Sequence, residues 1–258
     1  MSYVDVVRHA DEEALADAVA ARLITTIVER TAARGVAHVC LTGGGIGTAV
    51  LAAVGSSPSR DAIDWSAVHI WWGDERYLPE GDPERNETGA RAALLDLVPI
   101  PEDHVHPMPG PDRSDGSVGQ AAAVYAQALA AYTHPDDHAL VPSMDVLMLG
   151  IGPDAHVASL FPGLPGVHEG GAVIPVFDSP KPPPTRISLT FSSINAAHEV
   201  WILASGSGKA AAIRAALSEG ADPAQVPAAG VHGRERTLVL IDDQAAADLP
   251  ASMGRPGA

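Results

Sequence analysis

Four times in this chain a short apolar run stops at a turn that contains glycine. Residues 36–41 lead into Thr42-Gly43-Gly44-Gly45-Ile46-Gly47 and then a helical pattern from Thr48. Residues 68–72 lead into Gly73-Asp74-Glu75-Arg76-Tyr77, and residues 144–149 into Gly150-Ile151-Gly152-Pro153-Asp154-Ala155-His156. Residues 200–204 lead into Ser205-Gly206-Ser207-Gly208-Lys209, where a helical pattern over 209–217 begins. Apolar runs of this length alternating with helical stretches read as strands of a mostly parallel sheet with helices on both faces, a Rossmann-like α/β fold. In such sheets ligands bind beyond the carboxyl ends of the strands, which is where all four turns fall.

The rest of the chain fits that alternation. Asp11 is an N-cap candidate followed by Glu12 and Glu13, and Leu15, Val19, Leu23, Ile27 and Val28 recur at helical spacing until Gly35. Further helices are expected over 86–95 and 118–131, and further strands over 186–190 and 237–241. Residues 99–117 and 176–185 read as loops, the second stiffened at the ligand-facing rim by Pro180, Pro182, Pro183 and Pro184. The tail 250–258 is expected to fray. With 258 residues, 46% of them hydrophobic, the chain suffices for a single compact domain over 1–258. Only 4% are aromatic, so Val, Leu, Ile and Ala must carry the core. Cys40, the one cysteine, lies in an apolar run, which excludes an intrachain disulfide and points to burial. The charged start of the chain and the lack of a long apolar run give a cytoplasmic expectation.

A formal net charge of −16 argues against nucleic-acid or anionic-membrane partners, so a phosphorylated small molecule would need a locally positive pocket. Thr42-Gly43-Gly44 reads either as a backbone cradle for an anion or as a tight turn, and it matches neither a dinucleotide fingerprint nor a P-loop. Arg76 is a fork for phosphate or carboxylate, with Asp74 or Glu75 to orient it. His156 is a candidate general base with Asp154 near enough to set its tautomer. Lys209 opposes the dipole at a helix start unless an anion lies between. No metal-ligand spacing is apparent, and His104 and His106 read as solvated. These residues alone reach a sugar phosphate or similar anion acted on by a histidine.

Beyond that point the chain resembles the 6-phosphogluconolactonase family, relatives of glucosamine-6-phosphate deaminase with a NagB/RpiA-like fold. The resemblance rests on Thr42-Gly43-Gly44, on Gly73-Asp74-Glu75-Arg76 with Asn86 downstream, on the stretch from Gly150 through His156 to Gly163, on Lys181-Pro182-Pro183-Pro184-Thr185-Arg186, and on Ser205 to Lys209. It implies hydrolysis of a phosphorylated sugar lactone without cofactor or metal, by a monomer or small homo-oligomer. It further implies His156 as general base with Asp154 orienting it, Asp74 orienting Arg76, and Arg76, Arg186 and Lys209 on the phosphate. Thr42, Gly43, Gly44 and Asn86 complete the implied substrate site. Two departures stand out: Gly45-Ile46-Gly47 replaces the family's Ser-Thr-Pro, and Ala155 replaces a glycine. Deaminase relatives carry an Asn-Glu-Pro after the histidine where this chain has Ser159-Leu160-Phe161-Pro162, which favours a lactonase. A deaminase or isomerase, or a non-catalytic sugar-phosphate sensor, are the alternatives.

Overall fold

The structure is a computed structural model that describes residues 4–135, 137 and 139–257. Its strands are β1 (Val4–His9), β2 (Ala37–Leu41), β3 (Val68–Trp72), β4 (Asp74–Arg76), β5 (Val146–Gly150), β6 (Val173–Val176), β7 (Arg186–Leu189), β8 (Glu199–Ala204), β9 (Arg236–Asp242) and β10 (Arg255–Pro256). The helices are α1 (Glu12–Arg34), α2 (Gly44–Ser56), α3 (Asn86–Ala93), α4 (Val118–Ala131), α5 (Phe191–Ile194) and α6 (Ala210–Ala216). Seven strands form one sheet in the order β10-β1-β9-β8-β5-β2-β3, with every pairing parallel. A second, antiparallel sheet has the order β4-β7-β6.

Successive residues of β3, β8 and β9 are buried, as expected of central parallel strands covered on both faces. Trp71, Trp72 and Trp201 lie inside the core and add large apolar area that the low aromatic content conceals. Tyr125 of α4 accepts from Trp72 N at 2.9 Å and donates to Trp72 O at 3.1 Å, tying that helix to the end of β3. Cys40 is sealed in the core, and burial pushes its thiol pKa up.

α1 begins and ends where its caps predict: Asp11 accepts from Ala14 N, and Gly35 adopts the left-handed conformation at φ 78°. α4 matches its expected span. The strands expected at 36–41, 144–149, 200–204 and 237–241 are present with shifted ends, and the one at 186–190 pairs antiparallel in the small sheet. α2 starts earlier than expected, and a 3-10 turn at Ser207–Lys209 precedes α6. The tail does not fray over its described part. Arg255 and Pro256 pair in parallel with β1, and Gly257 N donates to Arg8 O at 2.7 Å; Ala258 lies outside the described residues. His104 and His106 are not the solvated pair expected. His106 stacks on Trp71 at 3.9 Å between centroids, and its Nε2 lies 3.0 Å from His69 Nδ1. Burial brings the pKa of His69 and His106 down to about 4 each.

The turn after β8 is held from β9. The buried Asp242 carboxylate accepts from Gly206 N at 2.9 and 3.1 Å, from Ser205 Oγ at 2.7 Å and from Ala245 N at 2.7 Å. Because hydrogen bonds to a charged group contribute roughly 1.5–3 kcal/mol each and buried donors would lose their acceptor, Asp242→Ala is expected to destabilise by about 3 kcal/mol. Urea unfolding should show a lower midpoint at an unchanged slope.

Candidate active site

Since every pair in the large sheet is parallel, the carboxyl ends of the adjacent strands β8, β5, β2 and β3 share one rim. Their four glycine turns meet there around a cavity of about 350 Å³. After β2 come Thr42, Gly43 and Gly44; after β3 come Asp74 and Arg76; α3 supplies Asn86. His156 enters from the loop after β5, Arg186 from β7 and Lys209 from the turn after β8. Of the residues that the family resemblance assigns to the site only Asp154 lies behind the lining, against His156.

The histidine is built by a tight turn. Gly152 N donates to His156 O, Ala155 N donates to Gly152 O, and Ile151 bridges to Val157. Ala155 sits at φ 63°, the left-handed conformation for which glycine would be the unstrained choice. This strain, about 1–2 kcal/mol for a residue with a Cβ, is tolerated where Ala155 is buried and its carbonyl accepts from Ala228 N. His156 Nδ1 lies 2.5 Å from Asp154 Oδ1, and the ring packs against the buried Phe161 at 4.5 Å between centroids. Burial lowers the imidazole pKa from 6.5; the carboxylate of Asp154 opposes that shift and the Lys181 ammonium adds to it. The ring is therefore neutral at pH 7. With Nδ1 facing Asp154, Nε2 is left as the basic nitrogen.

Asp74 does not orient Arg76, contrary to expectation. Its carboxylate accepts from Ser159 Oγ at 2.6 Å and from Asn86 Nδ2 at 3.3 Å, and Arg186 Nη1 lies 3.9 Å away. The register explains this, because Asp74 stands opposite Ser188 and diagonal to Arg186 across the antiparallel pair β4–β7. Arg76 instead donates from Nη1 to Glu84 O at 2.5 Å. Glu75 holds its backbone: the buried carboxylate accepts from Arg76 N, Asn86 N and Glu87 N at 2.7–2.9 Å and so caps α3. Burial pushes Glu75 up to about 7, opposed by the Arg85 guanidinium and these three N–H donors.

Thr42 is turned into the scaffold, its Oγ1 accepting from Gly150 N at 3.0 Å and so joining the ends of β2 and β5. Lys209 Nζ donates to Ile151 O at 2.6 Å, and burial together with the Lys181 ammonium lowers its pKa. Arg186 is buried; Nε donates to Pro183 O and Nη2 to the carbonyls of Lys181 and Pro182, all at 3.1–3.2 Å. Sequence reasoning gave no task to Lys181, Ser159 or Glu12, although Lys181 and Glu12 line the cavity. A lysine in a proline-stiffened rim loop was the available signal for the first. Nothing local distinguishes Ser159, whose partner is 85 residues away. Among the described residues no three His, Cys, Asp or Glu side chains are grouped to hold a metal ion.

A Rossmann-like sheet with a histidine–carboxylate pair and several cations around one rim cavity defines an α/β enzyme for a small anionic substrate. The chain belongs to the family described as glucosamine-6-phosphate isomerases/6-phosphogluconolactonase, whose model matches residues 10–240. It is 58% identical to a 6-phosphogluconolactonase of Streptomyces coelicolor, over 97% of each chain. It is 50% identical to one of Mycobacterium tuberculosis, over 93% of this chain and 96% of that one. The solved 6-phosphogluconolactonase of Trypanosoma brucei superposes with a TM-score of 0.82 at 25% identity, covering 97% of this chain and 100% of that chain. A monomeric glucosamine-6-phosphate deaminase shares the fold with a TM-score of 0.77 at 20% identity, over 95% and 99%.

Gly43 leaves no room for a side chain, because a Cβ there would stand 1.8 Å from Asn86 Oδ1. Gly43→Ala must displace Asn86 from Asp74, and overpacking of this kind costs about 1–3 kcal/mol. A lower thermal midpoint together with a raised KM is the expected result.

Proposed function

We propose that this chain is a 6-phosphogluconolactonase, hydrolysing 6-phosphoglucono-1,5-lactone to 6-phosphogluconate. The observation that carries the reading is the neutral His156 imidazole, backed by the Asp154 carboxylate, in one cavity with Arg76 and Lys209. The full-length identity to curated lactonases supports it. His156 Nε2 takes a proton from water as the water oxygen bonds to the lactone carbonyl carbon. The imidazolium, stabilised by Asp154, then protonates the departing ring oxygen. Arg76 and Lys209 hold the phosphate, with Arg186 adding positive potential behind it. The stretch after His156 contributes a buried aromatic ring and no glutamate, which favours ester hydrolysis over deamination. We further read the chain as one domain, cytoplasmic, acting as a monomer or small homo-oligomer; no described helix is long and apolar enough to cross a membrane.

A coupled assay on freshly made lactone, corrected for spontaneous opening, tests this directly. Ammonia release from glucosamine 6-phosphate in place of lactone hydrolysis would overturn it. His156→Ala should lower kcat at least about a hundredfold with little change in KM, since a general base acts chiefly in the transition state. In the wild type the base form of a histidine with a lowered pKa persists to lower pH, so the acid limb of kcat/KM should fall with an apparent pKa below 6.5. That limb should vanish in the variant. Lys209→Ala should raise KM by roughly ten- to a hundredfold, the loss of a hydrogen bond between charged groups. A non-phosphorylated lactone should be spared; equal loss on it would remove Lys209 from phosphate recognition.

A further inference from the structure

The loop between β6 and β7 brings Lys181 to the cavity and fixes its backbone tightly. Ser179 Oγ accepts from Lys181 N at 3.2 Å and donates to Lys181 O at 2.9 Å, and Ser179 N donates to Pro184 O at 3.0 Å. From the far side Arg186 donates to the carbonyls of Lys181, Pro182 and Pro183. A guanidinium has five N–H donors. Here Nε and Nη2 are directed at the loop, and Nη1 lies beside Asp74. Three of the five donors of Arg186 are thus spent on the Lys181 loop, and its Nη1 faces Asp74 without a hydrogen bond, so the side chain serves the loop first.

The Lys181 ammonium is held less firmly than its backbone. Nζ lies 3.5 Å from His156 Nδ1 and 3.8 Å from Asp154 Oδ1, on a side chain 39% exposed. The Asp154 carboxylate is engaged more closely by the imidazole, at 2.5 Å, than by this ammonium. A cation so placed lines the cavity on the Nδ1 side of the imidazole, one ring's width from the basic Nε2, while Lys209 is anchored on Ile151 O.

Resting on the lactonase reading, we propose that Lys181 supplies the positive charge facing the lactone carbonyl oxygen, and that Arg186 is a positioning residue which clamps the Lys181 loop. Water oxygen bonds to the carbonyl carbon as its proton passes to His156 Nε2, and the carbonyl π pair moves onto the oxygen beside Lys181. Collapse restores the double bond, breaks the bond to the ring oxygen and returns the proton from His156 to that oxygen. The new carboxylic acid loses its remaining proton to solvent. Lys181 stays protonated throughout and faces first an oxyanion, then the product carboxylate.

The test compares binding of 6-phosphogluconate with that of sorbitol 6-phosphate, which keeps the phosphate and chain but lacks the carboxylate. By calorimetry Lys181→Met should weaken 6-phosphogluconate roughly ten- to a hundredfold and sorbitol 6-phosphate by less than about twofold. Turnover should fall on the order of 10²–10³, as for loss of one oxyanion donor, and Lys181→Arg should recover part of it. Equal weakening of both ligands, or unchanged turnover, overturns the assignment. Arg186→Lys removes the fork but keeps the charge beside Asp74. Its loss of kcat should largely disappear in the Lys181→Met background, whereas fully multiplicative losses would sink the clamp. A wild-type protein that fails to hydrolyse the lactone would count against the underlying reading, and the ratio of the two affinities would still decide the role of Lys181.

Discussion

Parallel pairing of β8, β5, β2 and β3 is the constraint on which the site depends. A parallel ladder places all carboxyl ends on one side, so turns separated by more than a hundred residues in the chain become neighbours a few ångströms apart. Cross-links then fix the turns to one another. Thr42 ties the β2 and β5 ends, Asp242 holds the β8 turn from β9, and Glu75 joins the β3 extension to α3. None of these groups needs to touch a substrate to matter, because each sets the position of a residue that lines the cavity.

Charge is arranged against the average of the molecule. A chain with a net charge of −16 gathers Arg76, Lys181, Arg186 and Lys209 around one cavity, and balances them with Asp74 in the lining and Asp154 behind it. Such a layout attracts an anion locally while the wider surface repels nonspecific polyanions. It also keeps the histidine neutral, since burial and the Lys181 ammonium together outweigh the carboxylate of Asp154. The buried ring of Phe161 backs both sides of this arrangement, lying under His156 and 5.8 Å from the Arg186 guanidinium carbon.

Much of this was legible from local sequence, and what was not has a common cause. The caps Asp11 and Gly35 act within a few residues of α1, and α4 is a local alanine-rich run, so both helices could be read from the chain. The four strand-end turns could be read for the same reason, and with them Arg76, His156 and Lys209 of the cavity lining, whereas Lys181 and Glu12 were not. β4 and β6 are three and four residues long and exist only because β7 pairs with both, so no local pattern announces them. β1 was hidden by Asp5 and Arg8, whose partners Arg255 and Pro250 lie at the other end of the chain. The misplaced partner of Asp74 belongs here too: proximity to Arg76 in sequence suggests a pair, and the register with β7, more than a hundred residues away, brings Arg186 beside it instead.

The sealed position of Cys40 has a practical side. Alkylating and oxidising reagents require an accessible thiolate, and this sulfur is both enclosed and held protonated. The native protein is therefore chemically silent toward maleimides, and a cysteine engineered on the β6–β7 loop would be its sole point of attachment for a fluorophore or spin label.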